Sequence, residues 1–342
     1  MSYEIGGNID ATCFGGIAVV HRLVTRLGLP DRINDDVRLL KVHLPYHESD
    51  HVLNLAYNVL CGGTRLEDIE RLRHDTAYMN ALGADLIPDP TTAGDFCRRF
   101  GEPDVVALLE AVNAVRPKLW AGRGRDLPGP VAYLDVDGTI VPTTGQRKAG
   151  MDMSYKGVWR YAPLIVSLAN TREVLYLVNR PGNAPSNQDA AGWIDKAIDL
   201  VCPHAPRVCL RGDTDFSLTA HFDRWARRVD FVFGMDNTPT LRQRAENLED
   251  ARWRRLHRPA PYHSATGTTR TRRPSDKRRI VRERGYLNLE LAPGAGGLLL
   301  QLDRAQRSFR AVIGERHGQV DDETQDRVAV GGEAFDQLAG LG

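Results

Sequence analysis

The chain has 342 residues, and its 45 lysines and arginines almost balance 44 aspartates and glutamates, for a formal charge of +1. That balance excludes a polycation or an acidic tail protein, so any nucleic-acid contact has to come from local clustering of charge. The hydrophobic fraction of 42% is that of an ordinary globular protein with room for two cores, no run reaches the roughly 18 apolar residues of a membrane span, and the N-terminus lacks the order of a signal peptide, which makes the cytoplasm the expected location.

Residues from about 14 to 122 read as short helices. "GGIAVVHRLVTRLGL" sets Ile17, Val20, Leu23, Val24 and Leu27 at helical spacing, with Gly28 and Pro30 as the stop. "SDHVLNLAYNVLCGG" offers Ser49 or Asp50 as a cap, "TRLEDIERLRHD" offers Thr64, and "DPTTAGDFCRRFGEPDVVALLEAVNAVRPKLW" offers starts at Thr91 or Thr92 and at Glu102 to Asp104. These predict an all-α N-terminal domain over residues 1–125, ended by the Gly- and Pro-rich "AGRGRDLPGP".

The period then changes. "VAYLDVD", "YAPLIVSLA" and "EVLYLVN" read as strands, the last two joined by a turn at Asn170-Thr171-Arg172. "NQDAAGWIDKAIDLV" reads as a helix, "PRVCLRG" as a fourth strand, "SLTAHFDRWARR" as a helix and "VDFVFGM" as a fifth strand. This predicts an α/β domain over residues 126–292, a mixed sheet with flanking helices in the ribonuclease H order, with a basic inserted segment at about 240–292. Residues 293–342 are Gly-rich with weak periodicity, and only "EAFDQLAGLG" suggests a last helix.

The chemistry concentrates in "YLDVDGTIVPTTGQ". On a strand Asp135 and Asp137 point the same way with α-carbons roughly 7 Å apart. Carboxylates crowded at the end of a buried strand repel one another and lose hydration, which a divalent cation relieves. The plain alternative has one aspartate capping the turn and the other facing solvent. Asp-x-Asp-Gly-Thr also opens haloacid dehalogenase-type metal-dependent phosphatases, with Asp135 as nucleophile and Asp137 as acid. That class needs a parallel sheet, and a hairpin following directly on the first strand does not build one. In the ribonuclease H order, strands one and four are neighbours, so Asp137 converges with Asp213 of "LRGDTDFS". Two ions roughly 4 Å apart between such carboxylates support an in-line displacement at phosphorus.

Taken together, "LDVDGT", "PLIVSLANTREVLYLVNRPGN", "LRGDTDFS" and "DFVFGMDNTPTLRQRAENL" resemble a bacterial DDE transposase, and most closely the insertion sequence 1380 family. The helical start, with "LPYHESDHVLNLAYNVLCGGTRLEDIERLRHD" and "LPDPTTAGDFCRRF", is similar to that family's N-terminal region, so the resemblance spans roughly residues 10 to 292. It implies metal-dependent DNA cleavage and strand transfer, with two Mg2+ or Mn2+ ions as cofactors and Asp137 and Asp213 as catalytic metal ligands. Asp135 and Asp215 are implied as possible supports; by position, Asp135 shares the strand face with Asp137 and is a possible substitute in the first role, while Asp215 is placed to cap a helix beginning near Ser217. The partners implied are the element's terminal inverted repeats and target DNA, bound by a homo-oligomer, with the N-terminal helices recognising the ends or dimerising.

The family also carries a glutamate on a later helix. Glu315, Glu323 and Glu333 are available, but none stands in a convincing periodic helix beside a basic partner. The shift in texture after Pro293 therefore predicts a truncated or frameshifted copy lacking the third carboxylate, which as a non-catalytic remnant binds DNA without nicking it. From Arg252 to Arg284 arginines crowd with few acids, and Arg270, Arg272, Arg273, Lys277, Arg278 and Arg279 are the expected phosphate contacts. Trp159 and Tyr161 are read mainly as strand packing, with stacking on a displaced base as the alternative. Cys202, His204 and Cys209 lack metal-site spacing, so the five cysteines are expected as buried reduced thiols.

Overall fold

The computed structural model describes residues 11–121, 130–144, 148–154 and 157–235, the single positions 239, 243 and 247, and the backbone of strands at 262–263, 268–269, 286–288, 298–303 and 308–313. The chain divides into two compact units, Met1–Asp126 and Leu127–Gly342.

The described part of the first unit is helical. Helices α1 (Ile17–Leu27) and α2 (Leu29–Asp36) meet at Gly28, whose φ of 76° closes α1. Pro30, expected as part of the stop, instead stands in the first turn of α2, where no N–H is needed. Helix α3 (Glu48–Leu60) starts from His47, earlier than the caps expected at Ser49 or Asp50, and Asp50 bonds back to the His47 N–H at 2.8 Å. A 3-10 turn at Leu66–Asp68 leads into α4 (Ile69–Arg73), with the Asp68 carboxylate accepting from the Thr64 and Arg65 N–H groups. Asp75 caps α5 (Thr76–Leu82), and Asp89, rather than Thr91 or Thr92, caps α6 (Pro90–Cys97). Helix α7 (Glu102–Ala121) begins with Asp104 accepting from the Gly101 N–H. Ile17, Leu53, Tyr57, Ile69, Leu72 and Tyr78 form the main core of this unit. Alongside it α3 buries a polar stripe of Glu48, Ser49, His51, Asn54 and Asn58.

The second unit is mixed α/β. Strand β1 (Ala132–Gly138) leads through a small sheet of β2 (Val141–Pro142), β3 (Asp152–Met153) and β4 (Trp159–Tyr161) to β5 (Leu164–Leu168) and β6 (Glu173–Val178). Helix α8 (Ala190–Val201), β7 (Val208–Gly212), α9 (Phe222–Ala226) and β8 (Asp230–Met235) follow. The stretch "YAPLIVSLA", expected as one strand, is two: Ala162-Pro163 separates β4 from β5, and proline has no N–H to continue a ladder. At the hairpin tip Arg172 takes a φ of 58°, and the Asn170 side chain bonds Val131 and Tyr133 at the start of β1.

In the main sheet the order runs β6-β5-β1-β7-β8, with β5 and β6 antiparallel and β1, β7 and β8 mutually parallel. The antiparallel pair directly after β1 is incompatible with the parallel sheet that the phosphatase alternative needs. Alternation sorts the two faces: Ala132, Leu134 and Val136 are buried with Leu164, Val166, Leu168, Val208, Leu210, Phe231 and Phe233. Helix α8 packs on β1, β5 and β6, while α9 brings Phe222 to 4.5 Å, centroid to centroid, from Phe231. Truncating a fully buried residue such as Leu134 to alanine costs about 2–5 kcal/mol.

The sheet continues past Pro293, where the sequence shows only weak periodicity. Strand β13 (Ser308–Ile313) pairs antiparallel with β8, β12 (Leu298–Asp303) with β13, and β11 (Tyr286–Asn288) with β12. A two-stranded ribbon joins β9 (Tyr262–His263) to β10 (Thr268–Thr269). The six basic positions from Arg270 to Arg279, the glutamates Glu315, Glu323 and Glu333, and the "EAFDQLAGLG" segment lie outside the described residues. Among the described residues no helix is long and apolar enough to cross a membrane.

Candidate active site

The face of β1 opposite α8 carries Tyr133, Asp135 and Asp137. On the neighbouring parallel strand β7 the register sets Tyr133 beside Cys209 and Asp135 beside Arg211. Two residues further, one step past the last paired positions Val136 and Gly212, Asp137 comes level with Asp213 at the ends of two strands that lie about 4.8 Å apart. Both predicted carboxylates therefore meet at one sheet edge, as the order of strands implied.

Asp135 has a different employment. The Arg211 guanidinium grips it with Nε at 2.6 Å and Nη2 at 2.8 Å, and lies 4.6 Å from the Tyr133 ring centroid. A bidentate pair stacked on an aromatic ring is a fixed structural unit. Asp135 thus serves as the counter-ion of Arg211.

Asp137 is poorly satisfied. Its tip is open to water, yet a deep mass of protein lies behind it, and this desolvation is the main reason its carboxyl is held above the usual range. The Gly138 N–H, donating to Oδ1 at 2.7 Å, pulls the other way, and the charges of Asp213, Asp135 and Asp215 push it up further. That bond to Gly138 is the turn-capping role of the plain alternative, and here it coexists with a concentration of negative charge.

Asp213 leaves β7 in an extended conformation and caps the 3-10 turn Thr214–Phe216, its Oδ1 accepting from the Asp215 N–H at 3.0 Å. Near Ser217 the chain forms a second 3-10 turn, Thr219–His221, and then α9 from Phe222, neither with a side-chain cap, so the cap expected from Asp215 is not made. Gly212 is what lets Asp213 sit there, since a Cβ on it would come within 2.9 Å of the Phe233 ring and 3.0 Å of Phe216.

Hard carboxylate oxygens on adjacent strand ends fit a divalent ion such as Mg2+ or Mn2+. Asp137 and Asp213 supply two such groups, and among the described residues no cluster of three possible metal-ligating side chains forms. The cysteines take no part: Cys13 and Cys97 are exposed, not buried as expected, while burial pushes the Cys209 thiol up to about 12 and raises that of Cys202. Neutral thiols are poor metal ligands.

The fold is that of a mixed α/β protein, with two carboxylates at the ends of adjacent parallel strands. More particularly, the chain belongs to the family Transposase DDE domain group 1, whose model matches residues 5–291, and its function class is that of a transposase. Comparison with curated proteins finds no match. Among solved structures the chain is similar to the piggyBac transposase synaptic complex with hairpin DNA, at 10% identity and a TM-score of 0.42, over 98% of this chain and 69% of that one.

Proposed function

We propose that this transposase cuts DNA and joins the cut strand to a target, with Asp137 and Asp213 as its first two catalytic carboxylates. The observation that carries the reading is their adjacency at the ends of β1 and β7, with the Asp137 carboxyl held above its ordinary range by burial and by neighbouring carboxylates.

DDE transposases generally use divalent metal ions, which supply a bound nucleophile at neutral pH and stabilise the leaving oxygen in an in-line displacement. The chain's own residues do the rest. Asp137 and Asp213 present oxygen ligands from strand ends that the sheet holds fixed, so the ligand geometry is set before DNA arrives. Arg211 neutralises Asp135, which keeps a third carboxylate from adding an uncompensated charge to the cluster. The third ligand of an intact site belongs beyond β8, where Glu315, Glu323 and Glu333 are the acidic candidates.

On this reading the second unit is a ribonuclease H-like domain and the first an all-α domain that binds the element's ends or dimerises. The motifs favour the insertion sequence 1380 family as the nearest group. The arginine-rich residues Arg270, Arg272, Arg273, Lys277, Arg278 and Arg279 bind phosphate, and a homo-oligomer assembles on DNA in the cytoplasm.

The test is nicking of an end-labelled DNA duplex with Mg2+ or Mn2+, by the full chain and by Asp137→Asn and Asp213→Asn. Each substitution is expected to reduce metal-dependent nicking by more than about 100-fold, while Asp135→Asn retains measurable activity. Equal nicking by all four proteins overturns the assignment. DNA binding without nicking by the unsubstituted chain marks it as a non-catalytic DNA binder.

A further inference from the structure

The Arg-Pro-Gly-Asn motif after β6 has no part in the chemistry above, yet its arginine is built into the fold at a cost. Arg180 is buried, and its guanidinium donates from Nε to Ala162 O at 3.0 Å and from Nη1 to Ser186 O and Gln188 O at 2.9 and 2.8 Å. Its Nη2 is buried without a partner among the described residues. Burial pulls the group below the usual arginine range, and the Asp189 charge opposes that. A buried N–H donor left without an acceptor is destabilising, so the guanidinium is kept here for what its planar fork reaches. Two residues on, a Cβ at Gly182 would run into the Arg160 and Asp152 carbonyls, so the backbone that carries the arginine is held as well.

What the fork reaches lies on both sides of the turn after Asp137. On one side is the start of β5, where Gly138 pairs with Leu164 and the Thr139 N–H donates to Pro163 O at 2.9 Å, next to the Ala162 that Arg180 holds. On the other is Ser186, whose Cβ would stand 3.3 Å from a Cβ on Gly138. Alternate residues of a strand face opposite ways, and Ala132, Leu134 and Val136 are the buried set. Ser186 therefore supports Gly138 from the face opposite Asp137. Gly138 in turn donates the N–H that the Asp137 carboxylate accepts at 2.7 Å.

We propose that Arg180 is a positioning residue of the candidate metal site. It braces Ala162 on one side and Ser186 on the other, fixes the Gly138 turn between them, and so sets the direction in which the Asp137 carboxylate points. The proposal rests on the reading of Asp137 as a metal ligand. Groups that orient a ligand without touching the ion govern affinity through the ligand's angle, and a carboxylate on a strand end has only its turn to fix that angle.

The experiment measures Mn2+ binding to the metal-free full chain from the electron paramagnetic resonance of the free ion, without DNA and without turnover. Arg180→Lys, which keeps the charge and loses the fork, is expected to weaken binding about tenfold, with circular dichroism showing an unchanged folded fraction. Gly138→Ala, pressed against Ser186, is expected to weaken binding in the same direction, and Ser186→Gly added to it should recover most of the loss by removing the contact. Unchanged Mn2+ affinity in Arg180→Lys overturns the proposal. A loss no larger than the unfolded fraction accounts for also overturns it and gives Arg180 a role in folding alone. So does a Gly138→Ala loss that Ser186→Gly leaves in place. Asp137→Asn separates the two readings. If it abolishes Mn2+ binding while Arg180→Lys and Gly138→Ala bind normally, this inference fails alone; if the unsubstituted chain binds no Mn2+, the reading of the site fails and this inference with it.

Discussion

Two carboxylates, one in each unit, show how differently this molecule treats buried negative charge. Glu48 at the start of α3 is sealed from solvent, but only by a thin layer of chain. Burial raises its carboxyl, and the backbone N–H groups of Leu40, of Glu48 itself and of Leu39 outweigh that and hold it below the usual range. Asp137 is open at its tip and has one N–H donor, with three carboxylates nearby and a deep interior behind it. The helical unit meets its buried charge with backbone donors; the sheet unit leaves Asp137 with one N–H donor among other carboxylates, the pattern on which the proposed site rests.

The comparison is sharpest where the two sites respond with opposite sign. Glu48→Ala strands the Leu39 and Leu40 N–H groups, which it accepts at 3.0 and 2.9 Å, and should destabilise the helical unit by about 3 kcal/mol in urea unfolding. An unchanged midpoint would mean that water replaces the carboxylate. Asp135→Ala leaves Arg211 without its bidentate partner and should cost about 2 kcal/mol in the sheet unit, less than a fully buried pair because both side chains keep about a fifth of their exposure.

Glu48 also gives a pH dependence. Its folded carboxyl lies below its unfolded value of 4.5, so its stabilisation is complete above that value and disappears as pH falls through the folded one. Glu48→Gln should flatten that part of the helical unit's acid-unfolding curve; superimposable curves would assign the dependence to other groups. The smallest effect has the reverse sign. Asp137→Asn should raise the stability of the metal-free sheet unit by less than about 1 kcal/mol by removing a desolvated, repelled charge. Destabilisation would show that the Gly138 bond outweighs the repulsion.

Sequence carried the strand order because β1, β5, β6, β7 and β8 alternate or run apolar, and because their turns announce themselves at Asn170-Thr171-Arg172 and at "LRGD". The same strand order is enough to bring Asp137 and Asp213 to neighbouring strand ends. Three things stayed illegible for physical reasons. The Arg211 partnership of Asp135 depends on register between strands 76 residues apart, which local pattern does not encode. Strands β2, β3 and β4 are two or three residues long, too short for a period to appear. Helix caps slipped by one to three residues, because Ser and Thr near a start look like caps even when an Asp or a His before them takes the position. The close approach of Gly182 to the Arg160 and Asp152 carbonyls is a contact between segments about 20 to 30 residues apart, which local pattern does not encode.

The pairing of β1 with β7 also sets a clock. Parallel neighbours cannot zip from a tight turn; the chain must first lay down the β5-β6 hairpin and carry α8 across before β7 can dock. At roughly 5–20 residues per second of synthesis, a nascent chain holds Asp137 for several seconds with nothing beside it. The pair of carboxylates proposed as the cutting centre exists only once β7 is made, so chains arrested earlier on the ribosome carry one member of that pair alone.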